Sequence, residues 1–337
     1  MIWISRVSNL VRRMARAYRA ALGAAIAALC LWIAAPSQAA EGARLCVLVP
    51  HFKDEYWLSV AYGLEQEAAR EGAQLFFFEA GGYRARDAQI AQLASCATQE
   101  VDAILIGAVT SDHPELIEAI ADVAETIPVI GLVNALHSDA LSARIGVDWR
   151  DMGAAVGRHL SALHPERSPG RTAVLISGPP EAGWPGPLEE GLRRELGRSA
   201  VEIVGVYSDD TGLRQQLRQA EAALEAHPHV DYVIGSAPAI EATIGYLAAR
   251  PDRDKPGLIA TYVNHTIKRS LMNGNVIAAP FDDPARQGKM ALRQAMSVIS
   301  GHAAARSTGP DIVFLTDADS DLERIPVSPP EYFPDIR

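Results

Sequence analysis

One pattern constrains this chain more than any other: from residue 43 on, short apolar runs alternate with amphipathic helical stretches, and the series occurs twice. In the first series the strands read Arg44–Val49, Gln74–Glu79, Ala103–Gly107 and Pro128–Leu132. Helices Trp57–Glu71, Arg84–Thr98 and Pro114–Ala124 lie between them. Val60, Ala61, Leu64 and Ala68 fall on one helical face, and Gly72 stops that helix. The second series begins after Trp149. Its strands are Thr172–Ser177, Glu202–Tyr207, Tyr232–Gly235, Gly257–Tyr262, Val276–Ala279 and Asp311–Thr316. Its helices are Asp151–Leu163, Pro187–Gly197, Thr211–Ala226, Ala239–Ala249, His265–Asn273 and Pro284–Ser300. Continuously apolar strands between helices predict parallel strands buried on both faces. The chain therefore reads as an α/β protein of two doubly wound parallel-sheet lobes. The tail from Leu322, with Pro326, Pro329, Pro330 and Pro334, is expected to be irregular.

The first forty residues stand outside this pattern. Arg6, Arg12, Arg13, Arg16 and Arg19 precede an apolar run from Ala20 to Ala35, and small residues follow at Ser37, Ala39 and Ala40. This is the layout of a secretory signal peptide cleaved near Ala39/Ala40, so the expected location is the periplasm. The formal charge of the whole chain is −10, and the segment removed carries five arginines and no acid. An acidic mature surface argues against nucleic acid as a partner. Cys46 and Cys96 remain after cleavage. An oxidising compartment permits a disulfide between them, while spacing alone leaves two buried thiols equally open.

Ligands of open parallel sheets bind beyond the C-terminal ends of the strands. Those loops hold a concentration of aromatic residues. Only 6% of the chain is Phe, Trp or Tyr, yet Tyr56, Trp57, Tyr83, Trp149, Trp184 and Tyr262 all fall at strand ends, with Asp54 beside the first pair. Ring faces with a carboxylate nearby suit two ligand classes. Sugars stack on rings, and quaternary ammonium groups gain about 0.5–2 kcal/mol per ring from cation–π attraction. Each ring taken alone could equally pack a loop against its sheet.

The chemistry of common enzymes is missing. There is no glycine-rich phosphate fingerprint, no P-loop, no Gly-x-Ser-x-Gly elbow and no metal-ligand spacing around His227 and His229. The acidic pairs Asp209-Asp210 and Asp282-Asp283 read as helix caps before Thr211 and Pro284. No nucleophile is set beside a base. The expectation is a binding protein without catalytic residues, cofactor or metal.

The stretch leading into Tyr62-Gly63-Leu64-Glu65, together with Gly146-Val147-Asp148, resembles the type I periplasmic-binding-protein superfamily over the whole mature chain. A narrower resemblance rests on Leu45–Gly63, Glu79-Ala80-Gly81-Gly82-Tyr83, Gln89–Cys96, Leu132-Val133-Asn134-Ala135 and Gly146-Val147-Asp148-Trp149. These runs are similar to the TorT-like family of periplasmic trimethylamine N-oxide-binding sensors. That resemblance implies a ligand (trimethylamine N-oxide) and a partner (the periplasmic sensor domain of a membrane histidine kinase). It also implies that Asp54, Tyr56, Trp57, Tyr83, Trp149 and Tyr262 line the site, with Asp148 and Trp184 as further candidates. By analogy with the fold, a three-strand hinge joins an N-terminal lobe (41–148 plus 282–309) to a C-terminal lobe with the tail (149–281 plus 310–337). The alternative on the same fold is the solute receptor of an ABC importer for a sugar or a quaternary amine. An exported α/β hydrolase is the reading from another class, and the missing nucleophile–base set counts against it.

Overall fold

In the computed structural model the described residues are 42–252, 255–303 and 305–337; the signal peptide and its cleavage site lie outside them. Two sheets carry the fold. The first has five strands in the order β2-β1-β3-β4-β5: β1 Arg44–Val49, β2 Gln74–Glu79, β3 Ala103–Ile106, β4 Val129–Leu132 and β5 Ala143–Ile145. All of its pairings are parallel. Between these strands run α1 (Glu55–Glu71), α2 (Arg86–Ala97) and α3 (Pro114–Ala124). The second sheet has six strands in the order β11-β10-β9-β8-β6-β7. They are β6 Arg171–Ser177, β7 Val201–Ser208, β8 Tyr232–Gly235, β9 Gly257–Ala260, β10 Ala278–Phe281 and β11 Val313–Thr316. The remaining helices are α4 (Trp149–Leu163), α5 (Pro185–Leu196), α6 (Leu213–Ala226), α7 (Ala237–Ala248), α8 (His265–Met272) and α9 (Pro284–Ile299). None of the described helices is long and apolar enough to cross a membrane.

The period-2 alternation of β1 divides the first lobe's core in two. Leu45, Val47 and Val49 face the main core with Val60 and Leu64 of α1. Cys46 and Leu48 face a second apolar cluster with Leu93 and Cys96 of α2 and Leu116 and Ile120 of α3. Within that cluster Cys46 and Cys96 form a disulfide, their Cα atoms 6.2 Å apart. The question left open by spacing is settled by α2 packing on β1.

Three departures from the sequence reading have physical causes. The strand β5 was not foreseen, because three residues with Arg144 at the centre carry no apolar run. The last strand, β11, pairs antiparallel to β10. The chain leaves β10 into α9, which packs on α1 in the first lobe, and returns past β5, where Thr308 bridges Ile145. It thus re-enters the second sheet from the cleft, against the direction of the parallel strands. The tail, grouped above with the second lobe, runs back over the first. Ser328 N donates to Ser59 Oγ, the rings of Tyr332 and Tyr62 meet edge to face, and Ile336 bridges Phe77 of β2. The guanidinium of Arg337 lies 4.0 Å over the Phe76 ring.

Candidate ligand-binding site

Helix α1 begins where β1 ends because Asp54 caps it: its carboxylate accepts from Tyr56 N at 3.0 Å. Helix α8 begins after β9 in the same way, with Asn264 Oδ1 accepting from Ile267 N at 2.9 Å. The two caps meet across the cleft, where Asn264 Nδ2 donates to Asp54 Oδ1 at 3.1 Å and the Tyr262 hydroxyl donates to Asp54 Oδ2 at 2.5 Å. Asp54 is buried and no cation among the described residues pairs with it. Burial pushes its carboxyl above the ordinary range, opposed by the bonds from Tyr262, Tyr56 and Asn264.

Around this carboxylate the strand ends deliver their rings. A small cavity is lined by Asp54, Tyr56, Trp57, Tyr83, Trp149, Trp184 and Tyr262, together with Val133, Asn134 and Thr211. The Tyr262 ring is the hub, 5.3 Å from Tyr56 and 6.1 Å from both Trp149 and Trp184, each contact edge to face. Trp149 and Trp184 lie 5.5 Å apart and tilted by 45°. Two glycines make room for two of the indoles. A Cβ on Gly107, just past β3, would fall 2.3 Å from Trp57 Cη2, and one on Gly178, just past β6, would fall 2.3 Å from Trp184 Cζ2. Trp149 Nε1 donates to Val133 O at 3.4 Å, and Val133 itself sits at φ 65°, a strained setting for a β-branched residue.

The hydroxyl of Tyr83 has a particular arrangement. It accepts from Asn134 Nδ2 at 3.3 Å, and its own proton is left to donate. Burial holds that hydroxyl protonated well above neutral pH. Beside it lies His51, fully buried, whose Nε2 is 2.7 Å from Thr211 Oγ1 in the other lobe. Burial lowers His51 to about 4, against the pull of Asp210 at 3.8 Å, so it is neutral at neutral pH.

All six first-rank candidates line one cavity, and Trp184 lines it too. Asp148 does not. It caps α4 through Arg150 N, and its side chain is half exposed beside Arg150. The acidic pairs divide. Asp283 caps α9 as expected, accepting from Arg286 N at 2.9 Å. Asp209 and Asp210 cap nothing, because α6 starts at Leu213 after Gly212. Instead they reach the other lobe, Asp209 to Arg84 at 3.0 Å and Asp210 to Tyr83 N at 3.4 Å. Sequence reasoning passed over Val133, Asn134 and Thr211 as site residues, although each lies in a strand-end loop. Among the described residues there is no group of three or more side chains fit to hold a metal ion.

Known proteins share this architecture. A model of the periplasmic binding protein domain matches residues 45–303. The periplasmic protein TorT of Escherichia coli K12 is 34% identical over 290 residues, covering 86% of this chain and 82% of that protein. Solved structures of the TorS sensor domain–TorT complex, one without ligand and one with TMAO, match at 31% identity and TM-score 0.77, covering 88% of this chain and all of theirs. An ABC transporter solute-binding protein from Bradyrhizobium sp. BTAi1 with bound bis-tris matches at 33% identity and TM-score 0.73, covering 88% and 89%. Several sugar-binding proteins share the fold at lower identity.

Proposed function

This chain belongs to the periplasmic binding protein family, and on that premise we propose that it binds trimethylamine N-oxide in the periplasm and reports it by docking on the sensor domain of a membrane histidine kinase. The observation that carries the reading is the cage itself: three indoles and three phenols around one buried, cation-free carboxylate, drawn from both lobes. Trimethylamine N-oxide presents three methyls on a positive nitrogen and one anionic oxygen. The ring faces and Asp54 suit the ammonium side, where each well-placed ring contributes about 0.5–2 kcal/mol. The Tyr83 proton suits the oxygen. A hexose needs many polar partners, and the polar groups of this cage are already engaged with one another. In the TorT complexes the relative itself is bound to a sensor domain, which supports the same kind of partner here.

The reading includes cleavage of the leader near Ala39/Ala40, and lobes divided near residues 148, 281 and 309. In it, Asp54, Tyr56, Trp57, Tyr83, Trp149, Trp184 and Tyr262 bind the ligand, and closure of the lobes couples occupancy to shape. No residue is assigned a catalytic role. A second reading, the receptor of an importer for another alkylated amine, has one observation in its favour: the Bradyrhizobium relative holds bis-tris, a tertiary amine.

Calorimetric titration of the mature chain with trimethylamine N-oxide tests the proposal. Saturable heat that Trp57→Ala abolishes supports it. A folded protein giving no heat, with or without the kinase sensor domain, sinks it. Binding of choline-like amines in place of the N-oxide would select the importer reading.

A further inference from the structure

Asp282 lies on the segment that carries the chain from β10 back to the first lobe, at a hinge and not on the cavity wall. It is fully buried. Its Oδ2 accepts from the Tyr56 hydroxyl at 2.7 Å and from Gln287 Nε2 at 2.8 Å, and Gln287 Nε2 also donates to Tyr56 Oη at 3.0 Å and to Asp282 O at 2.8 Å. Its Oδ1 has no partner. Tyr56 therefore has two ends with different duties. Its ring faces the cage, 5.3 Å from Tyr262 and 6.1 Å from Trp57. Its hydroxyl is held by a carboxylate whose backbone belongs to the hinge.

We propose that Asp282 is a positioning residue of the binding site, acting through Tyr56 to fix that ring in the cage and to tie its placement to the hinge segment. The proposal rests on the cage being the binding site. A phenol ring on a helix N-terminus keeps some freedom about its side-chain torsions, and a short bond at its far end removes it. That end is anchored where the lobes pivot, so a change of hinge angle is transmitted to the ring. The groups facing Asp282 are Tyr56 from α1, and Gln287 and the neighbouring Asp283 from α9. None is a cation, and burial raises the Asp282 carboxyl to about 6. Protonation leaves one oxygen to accept from Tyr56 while the other becomes a donor, so the anchor changes character in the mildly acidic range.

The test is a double-mutant cycle on the mature chain, with trimethylamine N-oxide as the probe and Tyr56→Phe, Asp282→Ala and Asp282→Asn as variants. Asp282→Ala should weaken binding by about tenfold or more, the effect of stranding a buried partner. Asp282→Asn, which keeps an acceptor for the hydroxyl, should stay within about threefold of the parent. In the Tyr56→Phe background Asp282→Ala should add less than about twofold, since the path it acts through is gone. An equal loss in both backgrounds overturns the proposal, as does a folded Asp282→Ala variant that binds normally. The second arm needs no ligand: tryptophan fluorescence, dominated by cage indoles, is followed against pH. A step near pH 6 in the parent that is lost in Asp282→Asn and lost or displaced in Tyr56→Phe supports the link. An unchanged step in either variant overturns it. If the parent does not bind trimethylamine N-oxide, the functional reading fails, and the fluorescence arm still decides this one.

Discussion

Asp54 and Asn264 each cap the first turn of a helix in a different lobe, and they hydrogen-bond to each other across the cleft at 3.1 Å. Each therefore does two jobs with one side chain. The helix N-termini stabilise charge and acceptors at the cleft, and the bond between the caps exists only when the lobes are together. The site is thus built from the same groups that start its helices.

Asp54→Asn tests that double role. The amide keeps one acceptor oxygen but turns the other position into a donor, facing donors from Tyr262 or Asn264. It also removes the charge nearest an ammonium ligand. Trimethylamine N-oxide binding should weaken by about tenfold or more, the scale of a lost charge-assisted hydrogen bond. Thermal stability at neutral pH should change little, because the variant also removes the burial of an unpaired charge. Calorimetry and a thermal melt on one sample separate the two effects.

Two buried groups set opposing pH dependences. His51 is lowered from 6.5 to about 4, so its contribution is present above pH 6.5 and is lost as pH falls toward 4, where the unfolded chain takes up the proton first. Asp282 is raised from 3.8 to about 6, so its contribution is present below 3.8 and is lost as pH rises through 6. Between pH 4 and 6 the two slopes oppose each other. In Asp282→Asn the melting temperature should climb with pH across this window, and in His51→Gln it should fall. Melts at half-unit pH steps read both slopes; a parallel course for the two variants would contradict the assignments.

The disulfide closes a loop with a sequence separation of 50. Chain-entropy reasoning assigns such a loop about 4 kcal/mol, less any relaxation on reduction. The bond lies in the cluster under α2 and α3, on the face of the first sheet away from α1. Reduction in mild urea should therefore lower the unfolding midpoint while leaving ligand affinity in native buffer nearly unchanged. Urea titrations with and without dithiothreitol, paired with calorimetry, check this.

The sequence showed some of this plainly and hid the rest for definable reasons. Trp57, Tyr83 and Tyr262 were visible because each follows within a few residues of a strand whose apolar run is unmistakable, and parallel strands all point their C-terminal ends to the cleft. Trp184 was visible by the same rule, though the family resemblance was loose there. Thr211 and His51 were not, because each matters through a partner 160 residues away. Asp282 and Asp283 read as one capping pair, and tertiary contact gave them different tasks. Edge features were the least legible. Three residues of β5, the direction of β11 and the path of the tail depend on where other segments leave the chain room, which no local pattern encodes.

The glycines behind the indoles give the most direct test of the cage. Gly107 has no unusual backbone angle, so Gly107→Ala introduces a contact and little else: its Cβ would meet Trp57 Cη2 at 2.3 Å. That indole is buried and cannot retreat toward solvent; it must shift into the cavity it lines. Overpacking of this kind costs about 1–3 kcal/mol of stability. If the cavity takes trimethylamine N-oxide, a molecule with five heavy atoms, the displaced ring should abolish its measurable binding. Gly170→Ala is the control, because apart from its chain neighbours nothing lies within 4 Å of its Cβ, it is exposed and its φ is ordinary. It should match the parent in both melt and titration. If Gly107→Ala binds as tightly as the parent, Trp57 is not a wall of the ligand site, and the cage has to be redrawn around the rings of the second lobe.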